Sequence, residues 1–282
     1  MSFLDQLQLF LPGVVVALLV AILGGLLSVI VVMKRLAFVG QGVSHAAFGG
    51  VGLAAILGFA STTGTDPIAR TIIVALFSIA AGLIVSHLSH RTQRRTDTAI
   101  GIVMTASMAI GFVLYRLAAN RARSEGNGPL PSIEGVLFGE LLSISTAAAW
   151  TTAAATLLII AGLFFYRRQI LLWAFDEAAC APAGMNTTRL GTIVLILLAG
   201  SVVLAVQVAG VVLATAILVL PGATALRLTR SLVPAFVASV LIAVVTIAAG
   251  IALSIELNWP PGATIALTQC AAWILAQIRV KG

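Results

Sequence analysis

The chain has 282 residues, 60% of them hydrophobic and only 9% charged, with a mean hydropathy of +1.14. A soluble globular domain is normally about one-quarter charged, so this composition excludes one and indicates a polytopic helical membrane protein. The net charge of +7 lies in short Lys/Arg clusters between apolar runs, which is the pattern of topogenic charge and not of a nucleic-acid surface.

In chain order, the apolar runs predict nine membrane spans, an all-α transmembrane bundle read as one domain over residues 1–282. The first runs from Leu9 to Met33 and, with no basic segment before it, is read as a retained helix. The second runs from Gln41 to Phe59, the third from Pro67 to His87, the fourth from Thr98 to Leu117 and the fifth from Thr146 to Tyr166. Two polar segments interrupt the later chain: Ala118–Gly139, rich in Gly, Pro and Arg, and Arg167–Arg189. Leu190–Leu226 is apolar almost throughout and would be roughly 55 Å long as one helix, against a hydrocarbon core of about 30 Å. Gln207 and Gly210 mark the expected turn, giving a sixth helix and a short seventh that Pro221-Gly222 kinks or ends. The eighth runs from Pro234 to Ile255, and the ninth follows ELNWPPG and ends near Ile278. With the N-terminus outside, Lys34, Arg35, Arg94, Arg95, Arg167, Arg168 and Arg227 all fall on the cytoplasmic side, which the positive-inside rule favours.

Two stretches carry chemistry. In Met33–Leu53, MKRLAFVGQGVSHAAFGGVGL, Gln41 and His45 stand four residues apart and so share one helix face. An ionisable residue in so apolar a segment is a functional candidate by default. The competing reading is a core histidine bonded to a neighbouring carbonyl. Imidazole suits zinc, manganese and other first-row metals, whereas an amide carbonyl is a weaker, neutral ligand. In Arg167–Arg189, the run WAFDEAACAPAG is expected to form a short amphipathic helix on the cytoplasmic face, either a force-transmitting element or an ordinary surface helix. Glu256, near the outer end of the eighth span, is a candidate for attracting cations. Asp97 is placed to cap the fourth helix, and the i, i+3 pair His87 and His90 lacks a third ligand. Cys180 and Cys270 read as small apolar fillers. Ser44 has no activating acid beside it, so no catalytic group is expected.

Together these stretches resemble the permease subunits of zinc/manganese-type ABC importers over nearly the whole chain. MKRLAFVGQGVSHAAFGG is similar to the family's second-helix signature, TDTAIGIVM to the start of its fourth helix, and LFGELLSIS to its LFG segment. FDEAACAPAG is similar to its cytoplasmic loop, GVVLATAILVLPGATALRL to its late proline-bearing helix, and LSIELNWPPGATIAL to its penultimate turn. The resemblance implies a homodimeric pore in the inner membrane and two separate ATPase subunits that bind the ATP. It also implies an extracytoplasmic metal-binding protein, for which the 118–139 segment is a docking candidate. Phe175, Asp176, Glu177, Ala178 and Gly184 would belong to the ATPase coupling loop, and His45 with Gln41 to the metal pathway. Gln41 departs from the many members that carry aspartate there. No G-x-x-x-x-G-K-[ST] occurs in the chain, as expected of a transport subunit that leaves nucleotide to its partner. The expected cargo is a divalent transition metal, zinc ahead of manganese. Iron or a chelated metal, or a stand-alone secondary transporter, are the alternatives.

Overall fold

The structure is a computed structural model that describes residues 11–59, 67–91, 96–125 and 146–280, with Leu130, Gly135, Leu137 and Ile144; at 67, 86–91, 96–97 and 279–280 it describes the backbone alone. The described residues form nine helices and no strand: α1 Leu11–Met33, α2 Ala37–Ile56, α3 Pro67–Arg91, α4 Thr96–Ser124, α5 Thr146–Phe165, α6 Arg167–Phe175, α7 Thr187–Leu228, α8 Leu232–Leu257 and α9 Pro261–Val280. Six elements among them are long and apolar enough to cross a membrane: α1, α5, α7, α8, and the segments Ile68–Val85 of α3 and Thr98–Ser124 of α4. Helices are the element such a sequence must adopt, because hydrocarbon offers no partner to an unpaired backbone N–H or C=O. Large apolar side chains point outward, as lipid-facing positions should: Leu158 and Phe165 on α5, Val233 and Val245 on α8, and Leu275 and Ile278 on α9 are all exposed.

The organising element is α7. It packs against α1, α2 and α9, and also meets α3, α5 and α8. Its long helical run contains one residue outside helical geometry, Gly210, at φ 78° and ψ 169°. The chain reverses there. Before the break, Leu197 lies against Gly162 and Gly200 against Ile159, so α7 runs antiparallel to α5. After it, Ile217 lies against Gly24 and Gly222 against Ser28, so α7 runs parallel to α1. The predicted turn near Gln207 and Gly210 is therefore present. Pro221 does not end the second half, which continues to Leu228, so that part of the expectation is corrected. Gly222 sits directly on the Ser28 backbone, which leaves no room for a side chain there.

Glycines also set the second group, α2 with α3 and α4. Gly52 meets Gly111 backbone to backbone, and Gly49 and Gly50 receive Phe77 and Val74. On the other side of α7, Ser239 of α8 donates to the Gly25 carbonyl at 2.7 Å and lies 2.8 Å from Ser28 Oγ.

Several boundaries differ from the sequence reading. α2 begins one turn before Gln41, because α1 closes in a Schellman turn: Arg35 N–H donates to Val32 O at 3.2 Å and Leu36 N–H to Val31 O at 2.8 Å, with Arg35 left-handed at φ 55°. α4 continues past Leu117 to Ser124, so the first residues of the expected 118–139 loop are helical. Its alanines and arginines propagate the helix, and Arg121 Nε pairs with Glu125 at 2.7 Å, an i, i+4 contact. The helix expected within WAFDEAACAPAG ends instead at Phe175. Apart from Leu137 and Ile144, the LFGELLSIS segment with its Glu140 lies outside the described residues, as do the side chains of His87, His90 and Asp97.

Candidate functional site

α2 is buried almost everywhere. The exposed residues within the helix are Phe38 and Gln41, and at spacings of three and four residues they form a stripe on one face with half-buried His45; Ala37, Val39, Leu53 and Ile56 are also partly exposed. Four of its glycines (Gly42, Gly49, Gly50 and Gly52) let neighbouring helices close around the other faces. The stripe thus holds both exposed residues of the packed helix. His45 Nδ1 is buried from solvent and has no hydrogen-bond partner in the protein. An imidazole nitrogen in that state has a free lone pair or proton to offer, and the bond to a neighbouring carbonyl weighed as the competing reading is not made at Nδ1.

The neighbouring residue locates this face in the molecule. Ser44 Oγ donates to the Val211 carbonyl at 3.1 Å, the first residue beyond the α7 break. One turn before the break, Gln207 Oε1 accepts from Thr71 Oγ1 of α3 at 3.0 Å, while its Nε2 is buried without a partner. His45 therefore sits on the helix pinned to the reversal of the central element. Among the described residues, no three His, Cys, Asp or Glu side chains converge to hold a metal. Gln41 and His45 in one chain offer two weak or intermediate donors, suited to brief ligation.

The other predicted constellation is a capped, exposed loop. α6 ends where Asp176 turns extended, and its Oδ1 accepts from the Ala178 and Ala179 N–H groups at 3.0 and 3.2 Å. That cap is the reason the helix stops at Phe175 and does not continue through DEAAC. Phe175, Asp176, Glu177, Ala178 and Gly184 are all exposed, Cys180 is fully buried beneath them, and Gly184 takes φ 71°. Met185 N–H closes the loop on the Cys180 carbonyl at 2.9 Å, and Asn186 caps α7 by accepting from Arg189 N–H at 3.0 Å. Glu177 is the residue of this loop that reaches back to the bundle: Lys34 Nζ donates to its Oε2 at 2.8 Å and lies 4.2 Å from the centre of the Trp173 ring.

Glu256 is exposed in the last turn of α8, which packs on α1, α7 and α9. Sequence reasoning missed three partners: Lys34 for Glu177, Val211 for Ser44 and Thr71 for Gln207. Each joins residues more than 130 positions apart, and no local spacing encodes such pairs.

A helical bundle around a reversed central helix, with a sparse imidazole–amide face and a capped loop at one end, defines a multi-pass membrane transport subunit. The chain belongs to the ABC 3 transport family, whose model matches residues 6–280, and it is a permease subunit of the metal-importing ABC transporters. In this family the ATPase is a separate subunit. The chain is 32% identical to the "Probable iron transport system membrane protein" of Haemophilus influenzae, covering 98% of this chain and 97% of that protein. It is 28% identical to the manganese transport system membrane protein MntC of Halalkalibacterium halodurans, covering 97% and 89%. Among solved structures it is similar to PsaBC from Streptococcus pneumoniae in complex with Fab, with a TM-score of 0.80, 25% identity, and coverage of 97% of this chain and 94% of that one.

Proposed function

We propose that this chain imports a divalent first-row transition metal across the inner membrane as a homodimer driven by two ATPase subunits docked on the 176–186 loop. An extracytoplasmic metal-binding protein delivers the ion to the opposite end. The observation that carries the reading is the Phe38–Gln41–His45 stripe, the face that holds both exposed residues of a mostly buried helix. In a symmetric dimer, two such stripes facing across the axis give two imidazoles and two amides, a sparse site that an ion can leave as readily as it enters. Counting the two halves of α7 separately and α6 as lateral gives nine spans, with Lys34 and the 176–186 loop inside. Zinc is placed ahead of manganese because the donors are nitrogen and neutral amide oxygen without a carboxylate. Iron stands as the alternative cargo, in keeping with the name of the Haemophilus relative.

The test is uptake of zinc, manganese and iron into vesicles holding this chain and its ATPase, with the delivery protein outside, for wild type and His45→Ala. ATP-dependent uptake in wild type that His45→Ala abolishes, with the complex intact, supports the reading. Uptake independent of ATP, or undiminished in His45→Ala, overturns it.

A further inference from the structure

We propose that Lys34 is the strut through which the ATPase-facing loop moves the helix that carries Gln41 and His45. This rests on the importer reading above and adds the route by which force enters the site. Lys34 holds two partners from a distant part of the chain: the Glu177 carboxylate at 2.8 Å and the face of Trp173 at 4.2 Å. Glu177 is 57% exposed, on the loop proposed to meet the ATPase, whereas Lys34 is only 16% exposed. An ion pair with both ends in water transmits little, because both side chains wander and the charge is screened. Here one end is confined between an indole face and a carboxylate, and cation–π attraction adds to the pair.

The turn that joins Lys34 to α2 makes the contact consequential. Lys34 N–H still bonds the Ile30 carbonyl at 2.9 Å, Leu36 N–H bonds Val31 O at 2.8 Å, and Gly40 N–H bonds Leu36 O at 2.9 Å. The link from α1 to α2 is therefore short and hydrogen-bonded at Lys34, Arg35 and Leu36, with Arg35 held in a left-handed conformation that costs a non-glycine residue energy. It has no slack. Displacing Glu177 pulls on the pivot of α2, and the exposed stripe begins four residues beyond Lys34. Short element-terminal turns of this kind are where hinge motions are absorbed. Lys34 is on this account a positioning residue and touches no metal.

The test counts metal imported per ATP hydrolysed by the complete importer in vesicles. Lys34→Met keeps the length and packing of the side chain without its charge. Glu177→Gln changes an exposed position that folding tolerates, so it serves where the first variant does not assemble. Lys34→Met is expected to keep ATP hydrolysis near the wild-type rate while metal per ATP falls by about fivefold or more, the scale of an ordinary coupling energy; Glu177→Gln, on the loop that meets the ATPase, is read by the same fall in metal per ATP. Lys34→Arg should couple nearly as wild type, and the exchange Lys34→Glu with Glu177→Lys should recover part of the loss. Unchanged metal per ATP in Lys34→Met and Glu177→Gln overturns the proposal. So does a proportional fall of hydrolysis and uptake, which would make the pair an assembly contact only, or a Lys34→Arg variant as impaired as Lys34→Met. A wild-type complex without ATP-driven uptake is a distinct failure: it overturns the importer reading, and the strut with it.

Discussion

Ser44 donates its hydroxyl to the carbonyl of Val211, 3.1 Å away, and so fastens the helix of His45 to the first residue after the α7 break. Both groups are buried, and the bond ties α2 to the first turn after the break. Ser44→Ala should cost about 1 kcal/mol, the usual scale for such a bond between membrane helices. Thermal unfolding in detergent measures it. Transport should fall further than stability does, because the face next to Ser44 loses its anchor.

Gly210 at φ 78° and ψ 169° occupies a region open essentially to glycine alone. Gly210→Ala is expected to destabilise by about 1–3 kcal/mol and to lower the yield of folded protein on size exclusion. Gly58, also at positive φ but with nothing within 4 Å, is the control: Gly58→Asn should behave as wild type, since asparagine tolerates the left-handed region.

The crossing of α2 and α4 depends on Gly52 against Gly111, where an added Cβ would run into backbone. Gly52→Val should cost on the order of 1–3 kcal/mol through overpacking. Gly101, on the same helix as Gly111 but facing open space, should accept alanine and gain up to about 1 kcal/mol in helix propensity. Comparing the two melting temperatures separates close packing from a general intolerance of glycine replacement.

Gln41 is the position at which a carboxylate would change the character of the site. Gln41→Asp adds a hard, charged oxygen one turn from His45, and such donors suit manganese better than a neutral amide does. We expect the manganese-to-zinc uptake ratio to rise about tenfold, equivalent to about 1.4 kcal/mol. Competition uptake with both ions present reads the ratio directly, and an unchanged ratio would remove Gln41 from the ligand set.

The sequence alone determined the class of fold, most helix positions and the shared face of Gln41 and His45. These are local properties: apolar length against bilayer thickness, the 3.6-residue period, and an unbroken run too long for one span that had to turn near a glycine. It also located the 176–184 segment as a distinct element, though not its form. Asp176 is both a residue that helices tolerate and one that caps loops, and only its bonds to the Ala178 and Ala179 N–H groups decided between them.

Tertiary structure decided the rest. That the exposed residues of α2, Phe38 and Gln41, share the face of His45 depends on how α3, α4 and α7 pack around its glycines, and no period in the sequence reports which side of a glycine-rich helix stays open. That Pro221 lies inside a continuing helix while Gly210 carries the reversal depends on what each meets, Gly222 fitting the Ser28 backbone just past the proline. The join of Lys34 to Glu177 spans 143 positions. A contact between residues so far apart in the chain is set by the path of the whole bundle, because charge and burial act through space and leave no mark in the local sequence.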